Sequence, residues 1–147
     1  MKRMITLALM AVAMTAQAQT TVDPYQPLMD AIDQQGENIL KEYRALQQKD
    51  PNGEQPATKK QAKILADRID SLSEVQLNLI REIIRDNRDN QLPAKYIQQA
   101  MYQFSYEELK AALDPKTAYY NNADLAAAKQ LLAGLEKRRP GIKFHEL

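Results

Sequence analysis

The stretch 62-AKILADRIDSLSEVQLNLIREI-83 decides the fold class, because its apolar residues recur in steps of three and four. This spacing places them in one narrow stripe along an α-helix. Ile80 and Ile84 widen the stripe at its C-terminal end, where we expect more protein to cover it. A helix from Lys59 to Asn90 has a length of roughly 50 Å, at about 1.5 Å per residue. The stripe consists of Ala62, Leu65, Ile69, Leu72, Gln76, Leu79 and Ile83.

A second stripe with the same spacing lies nearer the N-terminus, and it consists of Tyr25, Met29, Ile32, Gly36, Ile39, Tyr43 and Leu46. Asp23 and Pro24 predict the start of its helix, since Asp caps free amides and Pro is tolerated at the first helical position. The turn-forming sequence Asp50-Pro51-Asn52-Gly53, followed by Pro56, predicts the break between the two helices. We therefore predict a long antiparallel helical hairpin. Gly36 weakens its helix by roughly 1 kcal/mol relative to Ala, and it marks either the close approach of a partner helix or a tolerated flaw.

The second half of the sequence predicts three shorter helices. Pro93 opens the first of them, and Ser105 with Glu108 forms a capping box that starts the second. Asn122 caps the third. The hairpin orders too many residues for the apolar area of its two stripes, so it needs this added packing surface. The expected fold is all-α: a long antiparallel hairpin, three shorter helices and a short extended C-terminal tail.

The first eighteen residues have the pattern of an export signal. Lys2 and Arg3 give a basic start, the apolar run Met4 to Met14 follows, and Thr15-Ala16-Gln17-Ala18 supplies small residues for cleavage after Ala18. The apolar run is shorter than the roughly 20 residues that a membrane-spanning helix needs. We therefore predict a signal peptide at 1–18, a helical domain at 19–139 and an exported, periplasmic or extracytoplasmic location.

The composition of the remaining chain excludes several classes of protein. Without Lys2 and Arg3 it has 18 basic and 19 acidic residues, so its net charge is −1. Such an even mixture lacks the basic surface that binds nucleic acid or anionic lipid. The chain has no cysteine, which excludes a disulfide scaffold, a zinc–thiolate site and thiol chemistry within it. No stable membrane span is expected after signal cleavage.

The last six residues, 142–147, differ in period from the helices, which end at Pro140-Gly141. Ile142 and Phe144 fall on one face of an extended segment, and a single strand without a partner cannot satisfy its backbone hydrogen bonds. Arg81 to Tyr120, with Asp86-Asn87-Arg88-Asp89-Asn90, Leu92-Pro93-Ala94, Leu113-Asp114-Pro115 and Tyr119-Tyr120, resembles a helical region of exported TlpA-like thiol–disulfide oxidoreductases. Pro140 to Leu147 is similar to the entry into the thioredoxin-fold domain of that family, with His145 where Pro is usual.

The resemblance implies that this chain is the helical part that precedes a thioredoxin-like domain. Residues 140–147 are then a linker and the start of the first strand of that domain. The redox centre of the family, Trp-Cys-x-x-Cys, has no counterpart in these 147 residues, so no catalytic residue is carried over.

Several residues of types that bind metals or act as general bases also have a structural interpretation. His145, the only histidine, has only Glu146 beside it and is expected to be a solvent-facing strand residue. Asp86, Asp89 and Asn90, and separately Asp50, superficially suggest calcium loops. Neither stretch has the glycine and the closing glutamate that such a loop requires, so both are interpreted as helix termini.

Acidic and aromatic side chains allow two further interpretations. Nothing in the sequence places two of the candidate carboxylates together in an apolar cleft for acid–base catalysis, namely Glu74, Glu82, Glu107 and Glu108. The tyrosines of the second half either line a binding groove or lie at the edge of the core with the hydroxyl towards water. They are Tyr96, Tyr102, Tyr106, Tyr119 and Tyr120.

The sequence therefore predicts a non-catalytic, extracytoplasmic helical accessory domain that holds or orients a thioredoxin-like redox domain. No catalytic, cofactor-binding or metal-binding residue is assigned. The alternative is a stand-alone periplasmic helical adaptor or chaperone-like protein that clamps proteins with its hairpin and leaves Ile80 and Ile84 exposed. In both cases the partners are proteins, and narrow stripes of this kind also serve helical oligomers.

Overall fold

The structure, a computed structural model, describes residues 22–138, and within this range the fold is all-α as predicted. Five α-helices follow one another, and no described residue lies in a β-strand. The predicted signal peptide, 1–18, and the predicted extended tail, 140–147, lie outside the described residues. The helices are α1 (Gln26–Lys49), α2 (Pro56–Asp86), α3 (Pro93–Ala100), α4 (Tyr106–Ala112) and α5 (Ala126–Lys137), with short 3-10 turns at Met101–Gln103 and Ala123–Leu125.

The start of α1 lies two residues beyond the predicted one. Asp23 does accept a hydrogen bond from a free amide, that of Tyr25 at 2.9 Å, but this bond forms a turn ahead of the helix. Tyr25 occupies the N-cap position without a side-chain cap, and Pro27 lies in the first turn. A proline is favourable there because its missing N–H has no helical partner to lose.

Asp50 organises the connection between α1 and α2. Its N–H donates to the Leu46 carbonyl at 3.1 Å, which closes the end of α1. Its carboxylate accepts from the N–H groups of Glu54 and Gln55 at 3.3 and 3.0 Å, just ahead of α2. The bond from Gln55 is the main cause that lowers the pKa of Asp50. Gly53 has a φ of +62°, a conformation that favours glycine, so the predicted turn is confirmed.

The chain divides into two compact units after Gln76, in the middle of α2. Unit 1, within the described residues, comprises 22–76, which includes α1 and the first part of α2. Unit 2 comprises 77–138, with the last part of α2 and the helices α3, α4 and α5.

In unit 1, side chains of α1 meet side chains of α2. Gln76 donates to Asp33 at 3.4 Å, and Arg68 forms an ion pair with Glu42 at 3.1 Å. Between these contacts, a Cβ added to Gly36 would lie 3.7 Å from Cδ2 of Leu72. Residue numbers in these contacts rise along α1 as they fall along α2, as in antiparallel helices. Close pairing along the whole length of a hairpin stays a prediction.

Unit 2 contains most of the fully buried side chains. The C-terminal end of the α2 stripe is covered as expected, because Ile80 is only 1% exposed and Ile84 is half-buried. The adaptor hypothesis was therefore wrong to expect free apolar surface at Ile80. The buried apolar residues of this unit are Leu77, Ile80, Ile83, Ala94, Tyr96, Ile97, Ala100, Met101, Phe104, Leu109, Ala112, Leu113, Tyr119, Leu125 and Ala128.

The predicted helix starts of unit 2 are confirmed. α3 begins at Pro93, and the Ser105 hydroxyl oxygen accepts from the N–H of Glu108 at 3.1 Å at the start of α4. The Asn122 side chain accepts from the N–H of Asp124 at 2.9 Å and caps a 3-10 turn that leads into α5. α2 ends at Asp86, four residues before the predicted end at Asn90.

Gly36 and Gly53 provide a test of unit 1, because the first lies in a helix and the second in a turn at positive φ. Gly36 lies inside α1, and a methyl group there would make an ordinary van der Waals contact with Leu72. We expect Gly36→Ala to raise the free energy of unfolding by about 0.5–1 kcal/mol, because Ala favours the helix. Gly53→Ala, at positive φ, is the matched control and should lower it by about 1 kcal/mol. Urea denaturation followed by circular dichroism measures both, and a destabilised Gly36→Ala variant would show that close approach requires this glycine.

Candidate functional site

Two regions of the structure bring together side chains that are able to bind or react. In unit 2, residues 87–92 and 114–122 approach each other, and we call this region the loop junction. In unit 1, two open grooves lie along the facing helices α1 and α2.

The loop junction is closed by hydrogen bonds between its two segments. Arg88 forms an ion pair with Asp114 at 2.6 Å, and the Arg88 carbonyl accepts from the N–H of Ala118 at 2.9 Å. Gln91 donates from Nε2 to the Ala118 carbonyl at 2.8 Å and accepts from the Asn122 side chain at 3.0 Å. These contacts join the end of α2 to the segment that precedes α5.

Asn87 explains why α2 ends early. Its side chain is 9% exposed and donates to the Ile83 carbonyl at 2.9 Å, which satisfies an acceptor at the helix end. Its Oδ1 accepts from the Asn90 side chain at 2.9 Å, and Asn90 in turn accepts from the N–H of Leu92 at 2.9 Å. Such local bonds compete with continued helix. The interpretation of this stretch as a helix terminus is therefore confirmed.

Two acidic residues in or beside this junction, Asp86 and Asp114, have basic or backbone partners. Asp86 forms an ion pair with Arg85 at 2.9 Å. The pKa of Asp114 is lowered, first by the hydrogen bond from the backbone N–H of Lys116 and then by Arg88. Within residues 22–138, no group of three or more acidic, histidine or cysteine side chains has the arrangement of a metal site.

Glu108 is the partner of an arginine in an ion pair and does not have the properties of a general acid. Its carboxylate accepts from Arg81 Nε and Nη2 at 2.8 and 3.2 Å, and this pairing is the main cause that lowers its pKa. A general acid at neutral pH needs a raised pKa, so Glu108 has the opposite shift. The other carboxylates considered from the sequence are all exposed, namely Glu74, Glu82 and Glu107. His145 lies outside the described residues.

The tyrosines of unit 2 fall into three environments. Tyr96 and Tyr119 are buried in the core, and the Tyr119 hydroxyl donates to the Ala112 carbonyl at 2.6 Å. Tyr106 and Tyr120 are half-buried; Tyr106 donates to Glu136 at 3.2 Å, and the Lys129 ammonium lies 3.9 Å from the centre of the Tyr120 ring. Tyr102 is 79% exposed. Four of the five therefore belong to the core or its edge, but the second interpretation was wrong about Tyr119, whose hydroxyl is bonded inside the core and is not turned to water.

The grooves of unit 1 are the concave surfaces that sequence analysis missed. The first groove has a volume of about 550 Å³ and is lined by Gln35, Asn38, Ile39, Ile64, Asp67, Arg68, Ser71, Leu72 and Val75. The second groove has a volume of about 400 Å³ and is lined by Ile32, Asp33, Gly36, Glu37, Leu40, Ile69, Leu72, Ser73 and Gln76. Leu72 lines both. Ile64 and Val75 lie outside the predicted stripe of α2. Apolar residues off the stripe are the sequence feature that could have indicated an exposed apolar groove.

Three apolar residues of these grooves are partly exposed. Ile64 is 43% exposed, Val75 55% and Leu40 40%. A groove with apolar residues between two helices has the form of a surface that accepts an amphipathic helix. Across residues 22–138, no helix combines the length and the apolar content that crossing a bilayer demands.

No protein-family model, curated protein or solved structure matches the chain. The resemblance of residues 81–120 and 140–147 to TlpA-like proteins therefore stays a prediction.

The Tyr119 hydroxyl gives a test of the unit 2 core. Tyr119→Phe leaves the buried Ala112 carbonyl without this donor, so we expect the free energy of unfolding to fall by about 1–2 kcal/mol. Tyr102→Phe, at an exposed position, is the matched control and should change it by less than about 0.5 kcal/mol. Chemical denaturation measures both variants. Equal effects at the two positions would contradict a structural role for the Tyr119 hydrogen bond.

The same residue predicts a pH dependence. Burial raises the pKa of Tyr119 above its ordinary value of about 10. The folded protein therefore resists loss of this proton, and the stabilisation is complete below the ordinary pKa and declines as the pH rises through and beyond it. The difference in stability between the wild type and Tyr119→Phe should shrink over that alkaline range. A constant difference would show that the folded and unfolded states titrate alike.

Proposed function

We propose that this chain is a non-catalytic helical module of an exported protein, whose work is to bind and position other protein. The open grooves along α1 and α2 carry the proposal, because they leave apolar side chains partly exposed beside polar ones. In its first form the module is an accessory domain that holds a thioredoxin-like redox domain.

The polar residues of unit 2 support a positioning role. The ion pairs Arg81–Glu108 and Arg88–Asp114 hold helices and loops of this unit together. No described side-chain polar atom is buried without a hydrogen-bond partner. These groups thus have structural duties that account for their presence, and a rigid helical unit is suited to carry another domain.

The accessory form rests on the resemblance at residues 81–120 and 140–147. Many of the residues that carry the first part of that resemblance lie in the loop junction, where they order the path of the chain between α2 and α5. In this form all thiol–disulfide chemistry belongs to cysteines of the adjoining domain, and the helical part orients that domain or presents it to substrate proteins.

The alternative form is a stand-alone helical adaptor or chaperone-like protein. The grooves of unit 1 favour it, because they offer two surfaces on the same pair of helices for amphipathic segments of other proteins. With Ile80 buried, such binding belongs to the grooves and not to the C-terminal end of the α2 stripe.

Export is tested by expressing the full chain in a Gram-negative host and measuring the intact mass of the periplasmic product. We expect a chain that begins at Gln19. Ala18→Arg should abolish this cleavage, because signal peptidase accepts only small residues there, and Gln17→Arg is the neighbouring control. An uncut chain in the cytoplasmic fraction would contradict the export part of the proposal.

The two forms are separated by sequencing the gene beyond codon 147. In the accessory form, the reading frame continues into a Cys-x-x-Cys motif, and the longer product reduces insulin disulfides. The 147-residue chain is the control and should be inactive in that assay, because it contains no cysteine. A stop codon directly after Leu147 would rule out the accessory form and leave the adaptor.

A further inference from the structure

We propose that the first groove binds the helix pair of a second copy of this chain, so that two copies join through four helices. The inference goes beyond the proposed function, because this association depends only on unit 1 and occurs with or without an adjoining redox domain. Incomplete burial, groove length and charge each support it.

The described helix pair of unit 1 leaves several of its apolar residues partly exposed. α1 has 24 residues, but only Met29 and Ile39 among them are buried. On α2, Ile64 and Val75 are 43% and 55% exposed although both are β-branched and apolar. Two helices can cover only the faces they turn towards each other, whereas four helices enclose a core between them. A second helix pair laid on the first groove would cover Ile64 and Val75.

The length of the first groove fits a helix. Ile64 and Val75 are separated by eleven residues of α2, a distance of about 16 Å or three helical turns. Both line the first groove, with Ser71 and Leu72 between them and Ile39 on the α1 side. The groove is therefore a furrow along α2 that is able to accept several turns of another helix, and α2 of a second copy has the required length.

The first groove is better suited to self-association than the second because its charges balance. The first groove contains one acidic and one basic residue, Asp67 and Arg68, and each has a partner in its own chain. Lys63 pairs with Asp67 at 3.0 Å, and Glu42 pairs with Arg68 at 3.1 Å. This surface is neutral overall, so a two-fold arrangement places no excess of like charge together.

The second groove has the opposite character. It contains Asp33 and Glu37 but no basic residue. A two-fold contact through this groove would bring four carboxylates together, and like charges across an interface are unfavourable. The second groove is thus unsuited to self-association, while the neutral first groove places no net like charge against its own copy.

The cysteine-free chain allows a direct test. Ser71 lines the first groove and Ser73 lines the second, and both are exposed positions on α2 two residues apart. In a two-fold contact, residues near the axis face their own copies. We expect purified full-length Ser71→Cys to form a cross-linked dimer with a short bis-maleimide, whereas Ser73→Cys stays largely uncross-linked.

A second pair of variants tests the apolar contact in solution. Val75→Glu should weaken the dimer at least roughly tenfold in Kd, measured by sedimentation equilibrium, since it places a charge in the buried contact. Leu40→Glu, at a comparably exposed residue of the second groove, should leave the Kd unchanged. Circular dichroism of each variant establishes that the helical fold is retained.

The possible results are distinct. A monomeric wild-type chain at all concentrations, or equal cross-linking at positions 71 and 73, overturns the proposal. Cross-linking of Ser71→Cys in the host envelope to a different protein also overturns it, although that result is compatible with the proposed binding function. A dimer that is sensitive to Val75→Glu and insensitive to Leu40→Glu supports it.

Discussion

Burial of one side of α2 is the constraint on which both units depend. This helix of 31 residues supplies Leu65 to unit 1 and Leu77, Ile80 and Ile83 to unit 2. Because apolar residues recur every three or four positions, the helix presents them along one side for its whole length. The two units differ in how completely they cover that side. In unit 2 the residues Leu77, Ile80 and Ile83 of this helix are buried, whereas among the described residues of unit 1 Leu65 is the buried apolar residue that the helix supplies.

Polar residues complete unit 2 where apolar packing ends. A helix leaves four carbonyl groups without partners at its C-terminus, and Asn87 satisfies one of them at the end of α2. The ion pair of Arg88 with Asp114 and the bonds of Gln91 then tie this end to a distant segment of the chain. Of the residues that suggest a calcium loop in the sequence, Asn90 bonds the Asn87 side chain and the N–H of Leu92, and Asp86 pairs with Arg85.

The two units differ in how completely their described apolar residues are buried, and the proposed binding function rests on the less buried one. The described part of unit 2 has most of the fully buried side chains, and none of its buried side-chain polar atoms lacks a hydrogen-bond partner. Unit 1 has two open grooves on one pair of helices, and their charges differ: Asp67 and Arg68 balance in the first, while Asp33 and Glu37 make the second acidic. Our two proposals rest on this difference, since only the neutral groove avoids like-charge repulsion with a second copy.

The sequence by itself determined the all-α class, the turn at Asp50–Gly53 and the helix starts at Pro93 and Ser105, because these follow from local spacing and capping chemistry. It did not determine the early end of α2, since the choice between helix and loop depended on the side-chain bond of Asn87 and the contacts of Arg88 with a remote segment. The grooves likewise required the tertiary structure. Ile64 and Val75 are ordinary apolar residues in the sequence, and their exposed fractions of 43% and 55% depend on which neighbours the tertiary structure places beside them.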